Sequence, residues 1–153
     1  GPENDGYLLI DQKRKTIYSS YTGETVNVGD TLDDNETAVI KPAGVTKIID
    51  EYEHKISYKT LASLVGKGAT AYDIAYAMAG IFLAYHGVAI ASIVTLIYSA
   101  LKSDLYSKII NGIANNLSGG VKITIYKCEI TKHQGSRIVK GVGYKIGSIG
   151  LYG

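Results

Sequence analysis

The chain has 153 residues and a mass of 16.4 kDa, which suits one domain or one domain with an appendage. Hydrophobic residues make up 46% and charged residues 20%, so the chain can bury a core and is not disordered throughout. A net charge of +2 without clustered arginines argues against a nucleic-acid partner. Cys128 is the single cysteine, which excludes an internal disulfide and a cysteine-based zinc cluster.

The first residues and the composition suggest a secreted protein. Gly1 and Pro2 are typical of the remnant that a tag-cleaving protease leaves, so we expect the native sequence to begin near Glu3, after a removed signal peptide. The 14 lysines against two arginines, together with many Tyr, Asn and Gly residues, suit a secreted protein of a low-GC Gram-positive bacterium. We therefore expect an extracellular location.

Residues 3–153 are predicted to form one α+β domain in three zones. The zones are an acidic β meander at 3–43, a helical zone at 44–118 and basic, glycine-rich strands at 119–153. In the first zone, alternation and turn residues predict strands at 7–10, 16–20, 24–28 and 37–40. The expected fold is a central apolar helical hairpin or bundle flanked by N- and C-terminal antiparallel strands.

The helical zone contains recognisable helix starts and stops. Ser57 is expected to cap a helix that ends at Gly66, and Thr70 with Asp73 matches the capping-box pattern. A shorter helix is predicted before them, with Val45, Ile48, Ile49 and Tyr52 on one face. Another is predicted from Ser103 to the Gly119-Gly120 pair, with Leu105, Ile109, Ile113 and Leu117 facing inward. Beyond it, strands are expected at 121–131 and 138–152, around a turn at 132–137.

Charge is distributed unevenly between the two parts of the chain. Residues 1–55 carry a balance of −5, and residues 56–153 carry +7. Such asymmetry indicates either attraction between the two parts within one fold or a charged partner such as an anionic membrane. The last zone has six basic residues and one acid, and the basic residues are predicted to face a membrane surface. They are Lys122, Lys127, Lys132, Arg137, Lys140 and Lys145.

The strongest feature is an apolar run of 28 residues, 74–101, that contains no Asp, Glu, Lys or Arg. Its length would allow one membrane-spanning helix, but His86-Gly87 could divide it into a hairpin of two shorter helices that suit a protein core. Small residues recur four apart, as in helices that pack closely in lipid. The predicted helix-packing and membrane-active residues are Gly80, Ala84, His86, Gly87 and Ala91.

Sites for chemistry are weakly indicated, so the sequence predicts no catalytic residues, no metal and no cofactor. Cys128 and His133 are separated by a turn and opposite strand parity, so they are not expected to act as nucleophile and base. The acidic loop with Asp30, Asp33, Asp34 and Glu36 misses the calcium-loop spacing and is expected to be a solvated turn. Residues 50–54 are read as one polar helix face, in which His54 lacks a second histidine nearby for a metal site.

Two functions are consistent with these features. The first is a secreted, membrane-directed toxin, whose layout resembles that of small pore-forming bacteriocins with glycine zippers, although no family motif is matched. Its partner would be an anionic membrane or a membrane protein, with homo-oligomer formation an open alternative. The second is a non-enzymatic binding or surface module in which the helical hairpin is ordinary core.

Overall fold

The computed structural model describes residues 6–31 and 47–153, and it has two three-stranded antiparallel sheets and four α-helices. The first sheet contains β1 (Leu8–Asp11), β2 (Thr16–Ser19) and β3 (Thr25–Asn27), followed by a 3-10 turn (Val28–Thr31). The rest contains β4 (Lys47–Ser57), α1 (Tyr58–Val65), α2 (Ala71–His86), α3 (Ile90–Ala100), α4 (Ser103–Ala114), β5 (Gly120–Gln134) and β6 (Arg137–Tyr152). The predicted α+β class is confirmed.

The N-terminal meander matches the prediction where the structure describes it. Strands β1, β2 and β3 pair in chain order, and each lies within the range predicted for it or one residue beyond. The fourth predicted strand, at 37–40, lies outside the described residues. The sheet packs on α1 and α2, and Ile17 of β2 is fully buried between them.

Local capping signals place two helix starts correctly. The Ser57 hydroxyl accepts a hydrogen bond from the Thr60 amide at the start of α1, which ends at Gly66. At the start of α2, Thr70 and Asp73 form both hydrogen bonds of a capping box. A capping side chain compensates amide groups that have no partner within the helix, so these starts are encoded locally.

Replacing Thr70 by alanine should lower the free energy of unfolding by about 1 kcal/mol, because the Asp73 amide loses its acceptor. Urea denaturation of the wild type and the variant measures the difference. Lys102 precedes α4 and makes no side-chain capping bond, so Lys102→Ala is the matched control and should change stability far less. Equal losses in both variants would show that the capping box contributes nothing.

The predicted helix around Ile48, Ile49 and Tyr52 is wrong, because residues 47–57 form strand β4. Tyr52, His54 and Ile56 alternate as the buried face, which is the period of a half-buried strand. A bulge between Ile48 and Asp50 shifts the register against β5. The bulge places Ile48 on the opposite face of the strand, where its side chain packs against Tyr126 and Cys128. The Asp50–His54 segment is therefore not a helix face.

Strand β5 pairs with both β4 and β6. The described part of β4 begins at Lys47, opposite Glu129, whereas the β5–β6 hairpin continues to its turn at Gly135. We call residues 130–141 of this hairpin the arm, and all eight residues from Thr131 to Ile138 are exposed. The predicted helix end at Gly119 is also corrected: α4 ends at Ala114, and Leu117 is exposed beyond it.

The core lies between the helices and the two sheets. Five large side chains of the apolar run are fully buried: Ile74, Met78, Ile81, Phe82 and Ile93. The run 74–101 is divided between α2 and α3, with residues 87–89 between the two helices. Across the ranges 6–31 and 47–153, no helix is both long and apolar enough to cross a membrane.

Candidate functional site: a histidine pair

Two histidines that are 32 residues apart in the chain meet inside the fold. His54 lies near the end of β4, His86 is the last residue of α2, and their Nε2 atoms are 2.8 Å apart. His54 is fully buried, and its Nδ1 lies 2.8 Å from the hydroxyl oxygen of Thr31. We call His54 and His86 the histidine pair. It connects the 3-10 turn, the second sheet and the end of the longest helix.

The hydrogen-bond partners of the histidine pair indicate which ring nitrogens carry a proton at neutral pH. The Thr31 hydroxyl donates its one proton to the carbonyl oxygen of Val28, so it must accept from Nδ1–H of His54. Nε2 of His54 then carries no proton and accepts from Nε2–H of His86. Both rings are neutral in this arrangement, and the contact requires that Nε2 of His54 carries no proton.

Aromatic rings pack around fully buried His54 and against half-buried His86. Tyr52 stacks on His86 with ring centroids 4.0 Å apart, while Phe82 and Tyr85 contact His54 edge-on at 5.0 and 5.3 Å. An apolar surrounding of this kind disfavours a charged imidazolium. The rings therefore hold the pair in its neutral form.

Both pKa values move in the direction that this environment dictates. Burial and the neighbouring His86 lower the pKa of His54 to about 4, against an opposing contribution from Thr31. Burial also lowers the pKa of His86 to about 4, where Asp50 acts against the shift and Lys15 adds to it. Below these values the rings charge, and two protonated Nε2 atoms would point their protons at each other.

The β1–β2 turn holds the same end of α2. Lys15 donates from Nζ to the carbonyl oxygens of Ala84 and Tyr85, and Gln12 donates from Nε2 to that of Leu83. A helix ends with carbonyls that have no partner inside it and with a partial negative charge, so an ammonium group stabilises this position. The C-terminal end of α2 is thus held by the first sheet as well as by the histidine pair.

The geometry of the pair is that of a hydrogen bond rather than a metal centre. Two imidazole nitrogens on one tetrahedral zinc, each at about 2.1 Å, would lie roughly 3.4 Å apart. The observed separation of 2.8 Å is too short for that arrangement. Within the described part of the chain, no three His, Cys, Asp or Glu side chains are grouped to hold a metal ion.

The small residues that were predicted to pack helices closely in a membrane lie in different parts of the fold. Gly80 faces the first sheet, where an added Cβ would lie 3.2 Å from Cδ1 of Ile10. Ala84 is buried in α2, and Ala91 is exposed in α3. Gly87 ends α2 in a left-handed conformation (φ 73°), so it does not continue one helical seam to Ala91. A large side chain at Gly80 would press on Ile10, and any side chain at Gly87 would be strained by the left-handed backbone, so these substitutions act on the folded protein itself.

The predicted basic residues divide into two groups. Lys122 forms an ion pair with Glu53 at 3.3 Å, and Lys127 and Lys145 are half-buried in the sheet. Lys132, Arg137 and Lys140 are exposed on the arm, where Lys140 also lies 3.6 Å from Glu129. The arm therefore concentrates the accessible basic residues of this sheet.

Other candidates from the sequence are not brought into one site. Cys128 is buried in β5, whereas His133 is exposed on the arm. Of the acidic loop, Asp30 lies in the 3-10 turn and is exposed, while Asp33, Asp34 and Glu36 fall outside the described residues. Sequence reasoning missed the contact of His54 with His86. The alternation of Tyr52, His54 and Ile56 was the local signal that could have shown His54 to face the core.

No protein-family model matches the chain, and no curated protein or solved structure matches it at a significant level.

Proposed function

We propose that this is a secreted, membrane-directed protein of bacteriocin-like function, in which α2 and α3 form a central apolar hairpin that is released onto a bilayer. The observation that carries the proposal is the neutral histidine pair at the end of α2, next to the connection between the two helices. Acid would convert that contact from attraction to repulsion. The surface of an anionic membrane attracts protons as well as basic side chains, so acidification and membrane contact would coincide.

The two helices have the composition that such a role needs. Residues 74–101 carry no Asp, Glu, Lys or Arg, so their transfer toward lipid would not desolvate a permanent charge. Nine residues of α2 are buried in the folded protein, including Ile81 and Phe82. Release of α2 would expose that apolar surface, which is favourable to bury again in a bilayer.

Protonation of the histidine pair would proceed in two stages. The first proton can enter at Nδ1 of His86, where the charge of Asp50 favours it, without breaking the Nε2–Nε2 hydrogen bond. The second must enter at Nε2 of His54, which is the acceptor of that bond. The contact is lost at this step, while Lys15 and Gln12 still donate hydrogen bonds to this end of α2.

The arm would make the first contact with the membrane. It projects past the described part of β4 and combines Lys132 and Arg137 with Ile138, whose side chain is 65% exposed. Basic residues near an anionic surface contribute on the order of 1 kcal/mol each, and an exposed apolar side chain can enter the interface. This attraction is screened over about 8 Å at physiological ionic strength, so higher salt should weaken it.

Dye release from vesicles tests this proposal. The wild type should release dye from anionic phosphatidylglycerol vesicles at pH 4.5 far more than at pH 7, and should bind neutral phosphatidylcholine vesicles poorly. The double variant His54→Gln/His86→Gln keeps groups that donate and accept hydrogen bonds but cannot take a proton, so its release should lose the dependence on pH. Circular dichroism would show that the variant is folded at pH 7.

The third histidine provides the matched control. His133→Gln removes one titratable ring from the exposed arm and should keep the acid response of the wild type. Absence of vesicle binding and release at every pH would favour the alternative, a non-enzymatic binding module. An acid response that persists unchanged in the double variant would remove the histidine pair from the mechanism.

A further inference from the structure

A polar cavity of about 570 Å³ lies where the first sheet, α1 and the second sheet meet. Its walls come from β3 and the 3-10 turn, the end of β4, the first two turns of α1, and Tyr152 of β6. The volume is within the range of small-molecule sites. Val26 is the one aliphatic side chain among the described lining residues, so the cavity suits a polar ligand.

The cavity contains two ammonium groups that have no acidic partner among the described residues. Lys55 and Lys59 both line it, and neither forms an ion pair with a carboxylate in the ranges 6–31 and 47–153. Lys55 is instead held near Tyr152, with its Nζ 5.2 Å from the ring centroid. This contact orients the ammonium group and leaves its protons available to a ligand.

Hydroxyl donors accompany the two lysines. The Ser57 hydroxyl donates to the Thr60 hydroxyl oxygen, so the proton of Thr60 remains available. Thr25 and Ser63 also line the cavity, and their hydroxyls make no hydrogen bond within the described part of the chain. Among the described residues of the wall, Asp30 is the one that carries a carboxylate. The donors outnumber the charged acceptors, so the cavity is complementary to an anionic group that accepts several hydrogen bonds.

We propose that this cavity binds the phosphate group of a small phosphate ester through Lys55 and Lys59. Phosphate oxygens are strong acceptors, and lysine is a common point-charge partner for them. Thr60 and Ser63, on the first two turns of α1, place hydroxyl donors on the same side, and the positive end of the helix adds to the attraction. Asp30 would accept a hydrogen bond from a hydroxyl of the esterified alcohol, which favours a polyol phosphate.

This inference does not depend on release of α2 and α3, because the cavity exists in the neutral folded protein. Backbone amide chemical shifts can therefore be followed at pH 7 without vesicles. The probes are inorganic phosphate and glycerol 1-phosphate, with glycerol as the uncharged control. We expect saturable shifts at Lys59 and Thr60 with both phosphate compounds and none with glycerol. The ester should bind more tightly than the free ion.

Lysine variants distinguish binding in the cavity from unspecific attraction of an anion to basic side chains. Lys55→Gln and Lys59→Gln should each weaken binding of glycerol 1-phosphate about tenfold, the effect expected for one charge-assisted hydrogen bond. Lys67→Gln is the matched control, because Lys67 is exposed and does not line the cavity, and it should change binding less than twofold. Thermal unfolding of each variant shows whether it is folded.

A further experiment shows whether the phosphate group belongs to a soluble ester or to a lipid headgroup. If phosphatidylglycerol vesicles at pH 7 displace glycerol 1-phosphate, the cavity accepts the lipid headgroup; if they do not, it takes a soluble ester, and both results support the proposal. Non-saturable shifts, or equal binding by the wild type and both cavity variants, would overturn it. Vesicle release can fail while this binding succeeds, so the two proposals are tested separately.

Discussion

Acidification from pH 7 to pH 5 should lower the free energy of unfolding by several kcal/mol through the histidine pair alone. The pKa of each ring is about 4 in the folded protein and about 6.5 in an unfolded chain, so the unfolded state binds more protons between these values. Stability therefore falls as the pH decreases below about 6.5, and the loss is complete below about 4. Fully buried His54 contributes about 2 kcal/mol of this loss between pH 7 and pH 5, and half-buried His86, whose charge water screens, contributes less.

Urea denaturation at the two pH values measures this effect. The double variant His54→Gln/His86→Gln should lose much less stability than the wild type over the same interval, since amides do not titrate. His133→Gln should behave like the wild type, because that ring is exposed on the arm. If the wild type and the double variant lost equal amounts of stability, other groups would be responsible for the acid response.

Replacing Gly120 by alanine should cost more than about 3 kcal/mol or prevent folding. Gly120 pairs with Ser57 at the junction of β4 and α1, and an added Cβ would lie 2.1 Å from the carbonyl oxygen of Ile56 and 2.6 Å from Cα of Ser57. Both contacts are with backbone atoms, which cannot move as a flexible side chain can. The backbone of the β4–β5 pair would have to separate at the point where α1 begins.

Gly150→Ala is the matched control for this substitution. Gly150 lies in the same sheet, opposite Lys122, and an added Cβ would have no atom within 4 Å. Its replacement should change the free energy of unfolding by no more than about 1 kcal/mol in either direction. Thermal and urea unfolding of both variants provide the comparison. A Gly120→Ala protein as stable as Gly150→Ala would contradict the close approach of the two backbones.

Elements with local signals could be predicted from the amino-acid order. Ser57 and the Thr70–Asp73 capping box start α1 and α2 because their hydrogen bonds join residues only three apart. The apolar run that contains the buried residues Ile74, Met78 and Ile81 can be recognised as a stretch of chain that has no charged side chain. Capping depends on residues that are close in the chain, and burial depends on the hydrophobicity of the side chains. Both properties can be read from the sequence.

Strand β4 shows where local patterns become ambiguous. Ile48, Ile49 and Tyr52 fit the spacing of a helix, although Tyr52, His54 and Ile56 also fit a strand. Pairing along β5 decides between them, because it provides partners for the backbone groups of the whole segment. The bulge at Ile48/Asp50 then turns Ile48 toward the small cluster with Tyr126 and Cys128. These partners lie more than 70 residues away in the chain.

The sequence by itself determined the α+β class, the caps and the uncharged run, whereas the tertiary structure alone decided the two candidate sites. His54 and His86 are on a strand and a helix whose approach depends on packing, and nothing local in either segment specifies the other ring. The polar cavity likewise needs β3, β4, α1 and β6 together. Short-range hydrogen bonds and hydrophobic runs involve residues that are close in the chain, so they can be recognised from the sequence. The contact of two histidine rings, or of two lysines around one cavity, depends on which distant helices and strands pack together.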